Sequence, residues 1–392
     1  MLAPDGCAVI LAHSRSWLLG PLVTSVMLVV LGGCANPAAR DDELSAAVDD
    51  IVRASMQEEG VPGVSIAIVR EGNIIKATGY GVANLELNVP VTPQSVFEIG
   101  SITKQFTAAA LMLLVEDGKI ALDDPITKYF PDTAQYWNAV TIRHLLTHTA
   151  GLPDIWGDTE ETLYSKGIVD FRRDYTEDEL VRIYAARPLE FPPGTKWSYC
   201  NPCYQILGFL IHRVSGQSYD GFLHARIFKP LGMDATRVSS WADVIANRAT
   251  GYEPFNGEFK HRAWVSPTLL FTADGGLVST VEDMARWDAA LYAERPLTRA
   301  QREAMWTPAP ITLGTKRSYG MAWRINDVNG HRLIWHVGGG FGFYAIFSRY
   351  VDDNLTIIAL TNVGEFDVLK LAGRIASLYL PDTKGANPVR DQ

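Results

Sequence analysis

Cysteine is scarce, with 4 residues in 392, and the 8 histidines are scattered. Neither an H-E-x-x-H nor two linked C-x-x-C pairs occur, so no metal site and no cofactor are expected. Basic runs are also missing, and the formal net charge is -9. A chain without a positive stripe has no footprint for a phosphate backbone, which excludes nucleic acid as a partner. No fixed-period repeat or extended low-complexity tract appears, which argues against a solenoid or a linker array. What is present is length and apolar content: 47% of residues are hydrophobic, enough to bury a large core in two lobes.

The one sharp compositional break lies near residue 40. After Arg15 comes "WLLGPLVTSVMLVV", then Leu31-Gly32-Gly33-Cys34, then "ANPAARDDE". A positive flank, an apolar stretch and small residues have the order of an export signal. Cys34 directly after two small residues resembles a bacterial lipoprotein signal, in which that cysteine is lipidated. The alternative is an uncleaved membrane anchor, because residues 16–39 carry no charge. Either way the body is expected outside the cytoplasm, periplasmic and membrane-tethered. In an oxidising compartment Cys200 and Cys203 could pair.

Residues 41–58 show helical spacing at Leu44, Val48, Ile51 and Val52. Two β-branched runs joined through Glu71-Gly72-Asn73 read as a hairpin. From about residue 101 to 300 helical segments alternate with Pro- and Gly-rich loops, with a capping box in Ser279 and Glu282. "YGMAWRIN", "RLIWHVGG", "FYAIFSRY" and "LTIIALTN" supply four strand-like runs before a last helix in "FDVLKLAGRIASLYL". Strands at both ends predict an α+β fold: a sheet lobe from 41–100 and 300–380, an inserted helical lobe over 101–300, and a short tail over 381–392.

Three stretches carry candidate chemistry. In "FEIGSITKQFTAAALMLLVEDGK" the apolar spacing places Ser101 at a helix start and Lys104 one turn on, on the same face. A hydroxyl near the positive helix end with an amine in reach suits a nucleophile; a serine N-cap with a solvated lysine is the plain alternative. In "KWSYCNPCYQ" two readings compete. Cys200 and Cys203 have the spacing of a redox dithiol. Tyr199 and Asn201, two apart in an extended stretch, could face one cleft, the tyrosine moving a proton and the amide holding a substrate; a core tyrosine and an N-cap Asn201 before Pro202 is the plain alternative. In "WHVGGGFGF" His336 ends a strand pattern, and Gly338, Gly339 and Gly340 would let a carbonyl lie against the strand edge, sharing an oxyanion hole with the Ser101 N–H.

S-x-x-K, then Y-x-N, then [HK]-x-G in that order resembles the penicillin-recognising serine hydrolases. The similarity is to the branch of class C β-lactamases, D-alanyl-D-alanine carboxypeptidases, D-aminopeptidases and β-lactamase-like carboxylesterases. "IRHLLTHTAGLPD", "PPGTKWSYCNPCYQILG" and "GGLVSTVEDMARW" extend it over roughly 45–380. The resemblance implies an antiparallel sheet flanked by helices. It also implies Ser101 as the acylated nucleophile, Lys104 and Tyr199 as proton-transfer partners, and Asn201, His336, Gly338 and Gly339 as substrate-binding positions. On that reading the cysteines are passengers.

The third motif departs from the Lys-Thr-Gly of class C β-lactamases. His336 and Val337 offer a weaker grip on a substrate carboxylate, because an ordinary histidine is mostly neutral at pH 7 and valine makes no hydrogen bond. His148 in "LLTHTAGL" has no acid partner by spacing and reads as structural. The expectation is an exported serine hydrolase acting through an acyl-enzyme on a small ester, D-amino-acid peptide or lactam. Alternatives are a binder of cell-wall peptides that acylates without turnover and a thiol oxidoreductase. Oligomeric state is left open.

Overall fold

The run "GVSIAIVR" is apolar at nearly every position because it is covered on both faces. This computed structural model describes residues 37–154, 169–314 and 318–385, the side chains from residue 41; the expected export signal with Cys34 lies outside them, as does most of the expected tail. The strands are β1 (Gly63–Arg70), β2 (Asn73–Asn84), β3 (Val89–Pro90), β4 (Phe97–Glu98), β5 (Arg237–Val238), β6 (Tyr252–Phe255), β7 (Glu258–His261), β8 (Leu277–Ser279), β9 (Arg324–Val328), β10 (His331–Gly340), β11 (Phe343–Tyr350) and β12 (Leu355–Thr361). Seven form one sheet in the order β3-β2-β1-β12-β11-β10-β9, and its pairings from β2 through β9 are antiparallel. The termini thus meet in the middle, where Ile66 pairs with Ala359.

Side chains alternate across the sheet with period two. Val64, Ile66 and Ile68 join a core with Val48 and Val52 of helix α1 (Pro37–Glu59) and with Leu371 and Ile375 of the last helix, Val368–Tyr379. Ala67, Val69, Phe347 and Ile358 face the other way, into a larger core with Phe106 and Leu111 of the helix after Ser101 and with Ile206 and Leu210. Arg349 of β11 donates to Asp288 of helix Val281–Tyr292 at 2.6 Å, both almost fully buried.

Three local readings change. Short strands β4, β8 and β5 and the hairpin β6–β7 lie within or beside the stretch read as mostly helical. Thr280, not Ser279, caps helix Val281–Tyr292, through Asp283 N–H. Ser279 is held in β8 opposite Phe97, its hydroxyl 2.8 Å from that of Thr236. Cys200 rather than Asn201 caps helix Asn201–Ser215, its sulfur accepting from Cys203 N–H, with Pro202 in the first turn. Asn201 therefore enters the helix with its side chain free for other partners. Among the described residues no helix is long and apolar enough to cross a membrane.

Candidate active site

The nucleophile candidate sits where β4 turns into a helix. Gly100 has φ +49, and a Cβ there would stand 2.8 Å from the Gly339 carbonyl oxygen, so only glycine allows the turn to press against β10. Ser101 follows in a short 3-10 turn, Gly100–Ile102, which leads into α2 (Thr103–Glu116). Its N–H belongs to the first turn of the helical run, where backbone donors lack intrahelical acceptors and the positive helix end favours developing negative charge. Beside this turn Glu98 is gripped by Arg262 at 2.5 and 2.7 Å and by Arg248 at 3.3 Å.

Lys104 is fully buried. Its Nζ lies 2.9 Å from Ser101 Oγ, 2.8 Å from Asn201 Oδ1 and 2.7 Å from the Asp274 carbonyl. As an ammonium it donates to all three, which satisfies a buried charge. As a free amine it keeps two donated bonds and offers its lone pair to the Ser101 hydroxyl. The ammonium stands 4.8 Å from the Tyr199 ring centre and 5.5 Å from that of Tyr204. Asn201 passes the contact outward, donating from Nδ2 to Asp154 at 3.1 Å. The structure thus brings Ser101, Lys104, Tyr199 and Asn201 to one point.

Strand β10 supplies the opposite wall. A Cβ on Gly338 would fall 1.9 Å from Ile99 O and 3.1 Å from Ser101 N, so β10 runs directly against the nucleophile turn. A cleft of about 950 Å³ opens in front, lined by Ser101, Asn201, Gly339, Gly340, Phe341 and Tyr344 among others. His336 corrects its expected place as a substrate contact. Its ring is buried beneath the wall, Nε2 lying 3.0 Å from Tyr319 Oη and Nδ1 2.5 Å from Val337 O. Burial, then the charges of Arg324 and Lys104, push its pKa down to about 3, so it brings no positive charge to the cleft. Among lining residues Lys260 is paired with Glu258 at 2.6 Å, and Glu253 and Glu365 also line the space, Glu253 accepting from Gly342 N–H.

Cys200 and Cys203 form a disulfide, both buried. Sequence motifs do not reveal Asp154, Asp274 or Tyr319. Asp274 acts through its carbonyl, which side-chain patterns cannot show; burial raises its carboxyl pKa, against the opposing Lys104 charge. Tyr319 is more than a hundred residues from Tyr199 and carries no spacing signal. Among the described residues no group of three His, Cys, Asp or Glu is placed to hold a metal ion.

The β-lactamase family model matches residues 48–380. The chain belongs to the β-lactamase family. It is 31% identical to penicillin-binding protein 4* of Bacillus subtilis over 315 residues, covering 75% of this chain and 66% of that protein. To a β-lactamase of Escherichia coli it is 32% identical over 266 residues, 67% of this chain and 65% of that one. The chain therefore spans about two thirds of the length of these curated relatives. Its structure superposes on D-amino acid amidase from Ochrobactrum anthropi SV3, solved with L-phenylalanine, with a TM-score of 0.73 and 27% identity over 86% of this chain and 99% of that one.

Proposed function

We propose that this β-lactamase-family chain is a serine hydrolase working through an acyl-enzyme on Ser101. The observation that carries the reading is the buried Lys104 Nζ 2.9 Å from Ser101 Oγ, with its other bonds accepted by Asn201 and Asp274. With Lys104 as the free amine, Ser101 Oγ attacks a carbonyl in the cleft and its proton passes to the Nζ lone pair, Lys104 and Tyr199 forming the proton-transfer pair. The oxyanion is met by the Ser101 N–H and the glycine edge of β10. The same pair returns the proton to the departing alcohol or amine, and water then frees the acid.

The charge of the cleft narrows the substrate. With His336 buried and neutral, Lys260 already paired, and Glu253 and Glu365 on the lining, a substrate carboxylate meets repulsion rather than a clamp. Small esters and D-amino-acid amides or peptides with a neutral or amine-bearing acyl group fit better than lactams that carry a carboxylate. The E. coli β-lactamase and the D-amino acid amidase among the relatives bracket this choice.

Hydrolysis of a short activated ester by wild type and Ser101→Ala tests the reading. Steady turnover abolished in the variant supports it, and turnover that survives in the variant refutes it. One equivalent of product without turnover would favour the cell-wall peptide binder. Export and tethering through Cys34 belong to the same proposal, resting on the Gly32-Gly33-Cys34 order; Cys34→Ala should then release the protein from membranes and abolish labelling by a fatty acid.

A further inference from the structure

His148 is fully buried and has a left-handed backbone, φ +58. For a residue other than glycine this conformation is uncommon and persists where the surroundings fix it, often beside active sites. Here the surroundings include the backbone N–H groups of Ser198 and Cys200, the residues on either side of Tyr199. Ser198 N–H donates to the His148 carbonyl at 3.0 Å, and Cys200 N–H donates to His148 Nδ1 at 3.2 Å. The imidazole lies over the Tyr199 ring, centroids 4.3 Å apart with planes at 40°. His148 therefore clamps Tyr199 from both backbone sides and across its face.

The ring of His148 is itself fixed. Because Nδ1 accepts, Nε2 carries the proton and donates to Tyr319 Oη at 3.2 Å. Tyr319, also buried, then directs its own O–H to His336 Nε2 at 3.0 Å, and His336 Nδ1–H donates to Val337 O. Every polar atom of the three rings is used, in one direction only. The chain runs from the Tyr199 loop to β10, ending just before Gly338 and Gly339. Burial first, and the Lys104 charge among the smaller causes, holds both imidazoles neutral, which keeps this single pattern.

We infer that His148 and Tyr319 are positioning residues that hold Tyr199 in register with the β10 wall. This rests on the proton-transfer role proposed for Tyr199. A space-filling core would need neither the one-way hydrogen bonds nor the paired grip on residues 198 and 200.

The test is kcat and KM on an activated ester for wild type, Tyr319→Phe, Tyr199→Phe and the double variant, with thermal melts for each. Tyr319→Phe removes one oxygen, and kcat should fall on the order of 10- to 100-fold with KM nearly unchanged, as expected for a displacement of about 1 Å or less. In the Tyr199→Phe background the same change should have no further effect. His148→Asn tolerates the left-handed backbone and offers Cys200 N–H an acceptor but loses the bond to Tyr319, and it should reproduce the kcat loss if Tyr319→Phe does not fold. Wild-type kcat in folded Tyr319→Phe or His148→Asn, or a loss that multiplies fully with Tyr199→Phe, overturns the inference while leaving Tyr199 its role. Wild-type kcat in Tyr199→Phe overturns both.

Discussion

Replacing Gly338 by alanine is the sharpest geometric perturbation of the site. The added Cβ would lie 1.9 Å from Ile99 O and 2.8 Å from Ile99 C, both backbone atoms of the segment that carries Ser101. To reach the 3.0 Å below which real contacts are essentially absent, strand and turn must separate by more than 1 Å. Overpacking of this kind costs about 1–3 kcal/mol in stability. A misplacement of about 1 Å between nucleophile and acyl-binding edge costs on the order of 100-fold in rate. Gly373, in the last helix and away from the cleft, is the internal control, since a Cβ there meets nothing within 4 Å. Initial rates on an activated ester, corrected for folded fraction from thermal melts, should show a large loss in Gly338→Ala and almost none in Gly373→Ala. A folded Gly338→Ala within about threefold of wild type, under 1 kcal/mol of barrier, would refute the claim that this close approach builds the site.

Other expectations follow from the same geometry. Lys104→Ala should lower kcat on the order of 100- to 10,000-fold in an ester assay while the protein still folds, and activity near wild type would remove Lys104 from proton transfer. Glu98→Ala strands Arg262, whose side chain is 8% exposed, and should cost roughly 3 kcal/mol by denaturant melt; a change within error would show the pair is not structural. The unfolded chain binds protons that buried His148 and His336 refuse, so their stabilising effect is full above about pH 6.5. It is lost as pH falls below that, for His336 down to about 3, at up to ~1.4 kcal/mol per pH unit for each histidine. Asp274, with its raised pKa, has the opposite sign, its contribution being present at low pH and lost as pH rises. Melting temperature against pH should therefore slope less steeply in His336→Asn than in wild type, and equal slopes would contradict the buried neutral imidazole.

The hairpin through Gly72, the four C-terminal strands and the helix after Ser101 are legible in the sequence because turn residues and apolar periods act locally. The junction of Ser101, Lys104, Tyr199 and Asn201 is foreshadowed by ordered motifs, although motif order alone does not supply the Asp274 carbonyl that holds Lys104. His336 shows the opposite failure. Its position suggests a substrate contact, but only the packing of Tyr319 and His148 turns its ring inward, and no spacing reports a contact made through a third residue. At Cys200 the sequence leaves two chemistries open. The fold makes it a helix cap inside a disulfide, between the two residues that reach the site.

A covalent acyl group on Ser101 is measured directly by the intact mass of rapidly quenched protein with an activated ester, followed by peptide mapping. One added acyl mass is expected on the peptide containing Ser101 and none in Ser101→Ala. An adduct on another residue, or hydrolysis by Ser101→Ala at the wild-type rate, would contradict an acyl-enzyme on Ser101.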